Sequence, residues 1–254
     1  LDITERKQVE NRLKEALINL RVSNKELEQF AYIASHDLQE PLRMVSSFLS
    51  QIEKKYGDKL DEKGKEYIFY AVDGAKRMRQ IILDLLEYSR AGKSEDPYTE
   101  INTQELVEEI LLLFKTRIEE LHATITLQDL PIVSAHKTPL RQVFQNLISN
   151  SLKYHQKDVP PRIAIKAIVH EQYWEFMVSD NGIGIDKEYY DRIFIIFQRL
   201  HNKDEYAGTG IGLAVTKKII DHFGGKIWVE STEGERSEEH TSELQSRQYL
   251  VCRL

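Results

Sequence analysis

The chain of 254 residues contains one cysteine, Cys252. A single thiol excludes an internal disulfide and any metal cluster built from cysteines. The sequence also lacks a signal peptide and any apolar run near the roughly 20 residues that span a bilayer. We therefore expect a reducing, cytoplasmic setting and no membrane segment in this fragment. Because it begins at Leu1 without an initiator methionine, we expect a longer protein, whose missing N-terminal regions could attach it to a membrane.

An excess of positive charge is also missing. Lysine and arginine number 35 against 41 aspartates and glutamates, for a net charge of -6. Without a basic footprint, nucleic acid is not expected as a partner. The hydrophobic content of 41% is ordinary for a globular protein, and the length suffices for two modest domains with separate cores.

Apolar residues in the N-terminal part recur at alternating spacings of four and three. This heptad period predicts a long helix with a coiled-coil seam, since few single helices on a globular core sustain it so far. The pattern stops at Tyr56–Lys59 and resumes from Ile68 to Ser89. Two helices joined by a polar link predict an antiparallel hairpin, whose uncovered face favours a dimeric four-helix bundle. The first seam comprises Val9, Leu13, Ala16, Leu20, Ser23, Leu27, Phe30, Ala34, Leu38, Pro41, Val45, Leu49 and Ile52.

Residues 91–97 have the composition of a linker, and the pattern beyond them becomes mixed. Antiparallel strands grouped on one side of several helices predict an α/β sandwich, so the fold class is expected to be α+β. The helices are expected at Gln104–Leu121, Leu140–Tyr154 and Thr209–Phe223, and the strands at Ala123–Leu127, Ile163–Val169, Trp174–Val178 and from Ile227.

A histidine on the first helix is a candidate nucleophile. It belongs to a polar stripe that faces away from the seam and should meet solvent; the stripe consists of His36, Gln39, Glu40 and Arg43. The neighbouring Asp37 could accept the ring proton and hold the tautomer. Pro41 should kink or loosen the helix beside this site. Taken alone, an exposed helical histidine is nearly always an ordinary surface residue.

Two glycine-rich segments follow in the mixed region. Asp180–Ile185 comes directly after a strand, and Gly208–Leu213 opens a helix. Glycine permits close backbone approach, and a helix N-terminus offers free N–H groups to phosphate. Neither segment continues as a Walker loop, and the surrounding pattern lacks the alternation of a Rossmann fold. Each segment alone also fits an ordinary turn.

Asn146, Asn150 and Lys153 share one face of a predicted helix, at spacings of four and three. Amide oxygens can coordinate Mg²⁺ beside a nucleotide, and an ammonium group can offset phosphate charge. The alternative is a face of solvated amides.

The three elements, in this order, resemble the sensor histidine kinases, in particular those linked to PAS or phytochrome-type sensors. The matching motifs are the H-box at His36–Arg43, the N-box at Asn146–Tyr154, the F-box around Phe194 and Phe197, the G1 box at Asp180–Gly184 and the G2 box at Gly208–Gly212. Leu1–Lys7 resembles the end of a PAS domain. The resemblance implies a signalling helix at 1–25, a dimerisation and phosphotransfer domain at 26–93, and a Bergerat-type ATP-binding domain at 94–235.

The resemblance also implies roles. His36 would take the γ-phosphoryl group of ATP, with Asp37 as general base, and pass it to an aspartate of a response regulator. Asn150 would ligate Mg²⁺, Asp180 would bind the adenine amino group, and residues 186–207 would form a lid. The other nucleotide-binding positions would be Asn146, Lys153, Tyr154, Gly182, Gly184, Phe197, Gly208, Thr209, Gly210, Gly212 and Leu213.

Two positions near the histidine depart from the family pattern. Many relatives have glutamate after the histidine and threonine or asparagine four positions after it, where this chain has Asp37 and Glu40. Asp37 keeps the carboxylate with one methylene less. Glu40 replaces a neutral group that positions water for dephosphorylating the regulator, so phosphatase activity is expected to be weak.

The C-terminal tail, residues 236–254, resembles the translation of a common sequencing-library adapter. The resemblance covers Arg236–Ser246 and resumes at Tyr249–Leu254. We therefore expect this tail to be an artefact that replaces a turn and a final strand. Without that strand the neighbouring strand would be an unpaired edge, along which Gln248–Arg253 could lie. Arg236–Glu243 is expected to pack little apolar surface.

Two other functions remain open at this point. A dimer of the same architecture could relay signals without chemistry, and autophosphorylation would exclude this. An ATPase of the same fold, as in DNA-repair or chaperone relatives, would lack the upstream heptad hairpin with its His-Asp pair.

Overall fold

The computed structural model describes residues 3–93, 96–171, 173–200, 206, 208–231 and 246–252. The chain divides into two compact units, Leu1–Arg90 and Ala91–Leu254. The first unit is helical, and the second combines helices with strands. The α+β class expected from the sequence is confirmed.

The first unit is the predicted hairpin. Helix α1 spans Ile3–Tyr56, a 3-10 turn follows at Gly57–Lys59, and helix α2 spans Glu62–Arg90. Helix α1 continues through Pro41, where the lost backbone hydrogen bond does not end the helix.

Helices α1 and α2 bury only part of their apolar surface against each other. Ser35 of α1 is buried, and so are Ile68, Val72 and Ala75 of α2. Leu49, predicted as part of the coiled-coil seam, is half-buried, and it lies on the same helical face as Ser35, fourteen positions away. Its neighbour Phe48 is 61% exposed and lies on the same helical face as the exposed Val45 and Ile52. The helix therefore carries two apolar stripes, where the sequence analysis described one.

The second unit contains two sheets and four helices among its described residues. One sheet pairs β1 with β3, and the other has the strand order β2-β4-β5-β7-β6. The helices are α3 (Thr103–Leu113), α4 (Lys115–Glu120), α5 (Lys137–Lys153) and α6 (Gly212–His222). The strands are β1 (Tyr98–Asn102), β2 (Thr124–Gln128), β3 (Ile132–His136), β4 (Arg162–Val169), β5 (Trp174–Asp180), β6 (Lys226–Ser231) and β7 (Ser246–Cys252).

Three details differ from the expected arrangement. The helix predicted at Gln104–Leu121 is two helices, because the chain breaks helical geometry at Phe114. Strands β1 and β3 were not anticipated, since each is only five residues long. Strand β2 runs parallel to β4, whereas only antiparallel strands were expected.

The core lies between the larger sheet and the helices. The inner face of α5 is buried, and the rings of Phe144 on α5 and Phe176 on β5 meet edge to face at 5.4 Å. Helix α6 contributes Val215, Ile219 and Ile220 to the same core. This packing fixes α5 against β5.

Strand β7 occupies the position between β5 and β6. It pairs antiparallel with both, so that Leu250 lies opposite Phe176 on one side and Ile227 on the other. The ladder is made by backbone groups and tolerates many sequences. A segment that resembles adapter translation can therefore fill this place. Residues 236–243, expected to pack little apolar surface, lie outside the described part of the chain.

Candidate functional site

Helix α5 supplies the first wall of the candidate site. Its start is held by the linker, because the Asp96 carboxylate accepts the Thr138 N–H at 3.0 Å. Arg141 also donates to Glu109 of α3, and this guanidinium lowers the pKa of the Glu109 carboxyl. With the apolar face of α5 in the core, the opposite face is half-buried and polar; it carries Asn146, Asn150 and Lys153, with Tyr154 just after the helix.

Asn146 joins α5 to the first turn of α6. Its Nδ2 donates to the carbonyl oxygen of Gly212 at 3.1 Å and lies 3.3 Å from Thr216 Oγ1. Thr216 is fully buried and donates to the same Gly212 carbonyl at 3.0 Å. The amide nitrogen of Asn146 thus holds the start of α6 against α5.

Lys153 brings a positive charge to the second glycine segment. Its Nζ donates to the Tyr154 hydroxyl at 2.7 Å and lies 4.3 Å from the centre of that ring. A Cβ at Gly208 would lie 2.6 Å from the same Nζ. The absence of a side chain at Gly208 therefore lets the ammonium group approach the backbone.

Asp180 is the buried carboxylate of the site. It is the last residue of β5 and is only 6% exposed. Ser151 donates its hydroxyl hydrogen to Oδ2 at 2.9 Å, and the Gly182 N–H donates to Oδ1 at 3.0 Å. These two donors offset the cost of burying the carboxylate and fix its orientation.

The turn after Asp180 is closed against the end of α5. The Ile183 N–H donates to the Tyr154 carbonyl at 3.0 Å, and Gln156 donates to the Gly182 carbonyl at 3.2 Å. A Cβ at Gly182 would lie 2.5 Å from the Tyr154 carbonyl oxygen. Only glycine fits there, so the first glycine segment and the second half of α5 form one wall.

The second glycine segment is equally constrained. Gly210 has a φ of +77°, and a Cβ there would lie 2.7 Å from the Gln198 carbonyl oxygen. In the first glycine segment, Gly184 also has a positive φ. The predicted residues Thr209, Gly212 and Leu213 are half-buried around the start of α6. The structure therefore brings the two glycine segments and the polar face of α5 together.

Phe197, also predicted to bind the nucleotide, is an exposed residue. It is 48% exposed and has a φ of +63°, unusual for a bulky residue. Phe194 is better packed, and the Lys217 ammonium lies 5.7 Å from its ring centre.

Sequence reasoning missed three residues of the site. Ser151 donates a hydrogen bond to Asp180, and Thr216 accepts one from Asn146. The ring centre of Tyr206 lies 5.2 Å from that of Tyr154. Ser151 and Thr216 are polar residues on the buried faces of their helices. A buried polar residue needs a partner, so this pattern could have identified both.

The predicted nucleophile lies in the other unit. His36 is within α1, and its side chain lies outside the described part of the structure. Around it, Ser35 is buried, Asp37 and Glu40 are exposed and Gln39 is half-buried. Gln39 thus faces partly inward, although the sequence analysis assigned it to the solvent-facing stripe.

Two family models match the two units. The "His Kinase A (phospho-acceptor) domain" matches residues 26–94, and the "Histidine kinase-, DNA gyrase B-, and HSP90-like ATPase" matches residues 135–246. Together they identify a phospho-acceptor domain followed by an ATPase-type domain. The chain belongs to the histidine kinase family, as the resemblance of its motifs implied.

Curated relatives include phytochrome and phytochrome-like proteins of cyanobacteria. The chain is 48% identical over 219 residues to the phytochrome-like protein Cph1 of Synechocystis sp., which covers 86% of this chain and 29% of that protein. It is 46% identical to cyanobacterial phytochrome A of Nostoc sp., covering 85% of this chain and 28% of that protein. The chain thus spans less than a third of the length of these relatives.

A solved structure supports the fold. The histidine kinase ThkA in complex with the response regulator protein TrrA aligns with a TM-score of 0.55 and 25% identity, covering 99% of this chain and 67% of that one. Among the described residues, no helix is both long and apolar enough to cross a membrane.

Proposed function

We propose that this chain transfers the γ-phosphoryl group of ATP to its own His36, and then to an aspartate in the receiver domain of a response regulator. The observation that carries the proposal is the buried Asp180, held by Ser151 and Gly182 beside the polar face of α5. A buried, oriented carboxylate is suited to accept a hydrogen bond from the amino group of adenine. The His36–Asp37 pair on the hairpin supplies the acceptor.

Each part of the ATP site would have a separate task. Asp180 would bind the adenine, and the Tyr154 ring would line the base. The backbone of the two glycine segments and the first N–H groups of α6 would face the phosphates. Lys153, whose Nζ lies close to Gly208, would offset their negative charge.

Asn150 fits a role in holding Mg²⁺. Its half-buried amide lies between Asn146 and Lys153 on the polar face of α5, and an amide oxygen is a ligand that Mg²⁺ accepts. No group of three or more histidine, cysteine or acidic residues suited to a metal occurs in the described ranges. The phosphates would therefore supply further ligands, and the ion would offset charge on them during transfer.

The transfer step uses the side chains of the hairpin. A ring nitrogen of His36 would form a bond to the γ-phosphorus while the bond from that phosphorus to the bridging oxygen of ADP breaks. The proton of the attacking ring would pass to Asp37, whose exposed carboxylate is the neighbouring base.

Incubation of the chain with γ-labelled ATP and Mg²⁺ tests the reaction. The expected product is a label on the protein that is stable to base and lost in acid, as a phosphoramidate requires. A label that survives acid would contradict the proposal, and so would nucleotide binding without any label.

The helical hairpin supports association with a second copy. On α1 the exposed residues Leu38, Val45 and Ile52 recur every seven positions, and Phe48 lies between the last two. On α2 a second exposed stripe includes Tyr67, Tyr70, Met78, Ile81 and Leu85. These stripes lie apart from the residues that α1 and α2 bury against each other. Apolar seams of this length match a four-helix bundle formed by two hairpins.

Phe48→Glu is expected to convert the dimer to a monomer. The charge would enter the centre of the proposed seam, where burial of an unpaired carboxylate costs several kcal/mol or more. Sedimentation measured over a range of concentrations would show the change. Glu53→Gln, an exposed polar change on the same helix, serves as the control. A Phe48→Glu chain that remains dimeric would contradict the proposed seam.

The response regulator is proposed as a separate partner, and the upstream sensor as a further part of the whole protein. ThkA in the solved complex is bound to a response regulator protein, and two relatives are a phytochrome-like protein and a phytochrome. We therefore propose that a receiver domain is the second partner and that a PAS-like or phytochrome-type sensor precedes residues 1–25.

Glu40→Thr is expected to raise the rate at which the chain dephosphorylates its regulator. The exposed Glu40 carboxylate would repel the phosphorylated aspartate, whereas a neutral hydroxyl could orient a water molecule. The measurement is decay of a labelled regulator with either chain, with Glu53→Gln as the control. Rapid decay with the wild-type chain, unchanged by Glu40→Thr, would contradict the prediction.

A further inference from the structure

Ser231, the last residue of β6, makes three hydrogen bonds to the segment that follows β5. The Tyr190 hydroxyl donates to the Ser231 carbonyl at 2.5 Å and accepts the Ser231 N–H at 2.7 Å. The Ile185 N–H donates to Ser231 Oγ at 2.8 Å. Residues 41 and 46 positions apart in sequence are therefore joined at the outer strand of the sheet.

These bonds lie at one end of a short, ordered stretch. Ile183 is tied to the Tyr154 carbonyl at the end of α5, and Ile185 is tied to β6. Asp186 then caps the 3-10 turn Lys187–Tyr189 by accepting the Glu188 N–H at 3.0 Å. Tyr190 follows this turn directly. The chain is thus fixed on two sides before it continues toward Leu200.

We propose that Tyr190 is a positioning residue for ATP, acting with Ser231 as a clamp that fixes the start of the segment Asp186–Leu200 beside the phosphates. The inference rests on the proposed ATP-dependent function. Ordering this segment before the nucleotide arrives lowers the entropy cost of binding. The tyrosine hydroxyl is suited to the task because it donates and accepts at once, and both of its partners are backbone groups of one residue.

If the clamp acts in this way, its loss should weaken binding of the phosphate groups of ATP and leave binding of the adenosine part unchanged. The adenine would be bound by Asp180, which is oriented by Ser151 and Gly182 and makes none of the three clamp bonds. Loss of the clamp should therefore weaken ATP binding and leave adenosine binding unchanged. A purely structural role would weaken both and would lower the melting temperature.

The test uses Tyr190→Phe in the full chain, which removes two hydrogen bonds and keeps the ring. Affinity for ATP is expected to fall about three- to tenfold, the equivalent of about one net hydrogen bond. Affinity for adenosine should stay near the wild-type value, and amide hydrogen exchange across residues 186–200 should become faster. Tyr173→Phe is the matched control, because its ring stacks on His170 at the opposite end of β5 and all three measurements should remain unchanged.

The outcomes separate the clamp from the function on which it rests. Equal losses of ATP and adenosine affinity, or ATP affinity equal to that of the Tyr173→Phe control, would overturn the clamp alone. A wild-type chain that binds no ATP would overturn the proposed function and the clamp with it. Ser231→Ala removes the bond from Ile185, keeps both bonds to Tyr190 and should lower ATP affinity less than Tyr190→Phe does; a larger loss would contradict the leading role of Tyr190.

Discussion

His36→Gln is expected to remove all ATP-derived label from the chain and to leave its affinity for ATP near the wild-type value. Glutamine fits a helix but has no ring nitrogen that can attack the γ-phosphorus. Nucleotide affinity should persist because His36 and Asp180 belong to different compact units. Incubation with γ-labelled ATP and a separate nucleotide-binding titration measure the two quantities.

His170→Gln provides the matched control for this loss. His170 lies in the second unit, where its Nε2 is 2.8 Å from a Glu175 carboxylate oxygen, and a glutamine amide can replace that contact. The control chain should be labelled as the wild type is. Acid-labile label remaining on His36→Gln would show that another residue is the acceptor.

The hairpin could be predicted from sequence because its pattern is local. Apolar residues at heptad spacing define two long helices without knowledge of their partners. The same pattern does not show which of the two apolar stripes on α1 packs against α2. Leu49 was therefore assigned to the seam with Val45 and Ile52, whereas it shares a helical face with the buried Ser35 and its neighbour Phe48 is the more exposed of the two. Periodicity finds the faces, while tertiary packing chooses between them.

The mixed unit was predicted less completely because its pairing is not local. Strands β1 and β3 stabilise each other across about thirty residues of sequence, and each is too short to show a period. The parallel pairing of β2 with β4 likewise depends on the path of the chain between them. At the site, the motifs predicted Asp180 and the glycines, but only the fold revealed that Ser151 orients the carboxylate. The sequence could mark Ser151 as a polar residue on the buried face of its helix, but it could not show which group Ser151 holds.

Asp180→Asn is expected to lower ATP affinity about 10- to 100-fold, since losing a hydrogen bond to a charged group costs about 1.5–3 kcal/mol. The carboxylate now accepts from Ser151 and Gly182 at once. An asparagine has a single acceptor oxygen, so its NH₂ group must face one of these donors or the adenine amino group. Asp221→Asn, on an exposed face of α6 beside Lys217, is the control and should bind ATP as the wild type does.

Inosine triphosphate distinguishes loss of the adenine contact from general damage to the pocket. Hypoxanthine carries a carbonyl oxygen where adenine carries its amino group, so the wild-type carboxylate should repel it and favour ATP. In Asp180→Asn the amide NH₂ can donate to that oxygen, and the preference for ATP over inosine triphosphate should shrink or reverse. Competition binding of the two nucleotides to both chains measures this ratio. If Asp180→Asn weakened both nucleotides equally, the carboxylate would support the pocket without reading the base, and the adenine would have to be bound elsewhere.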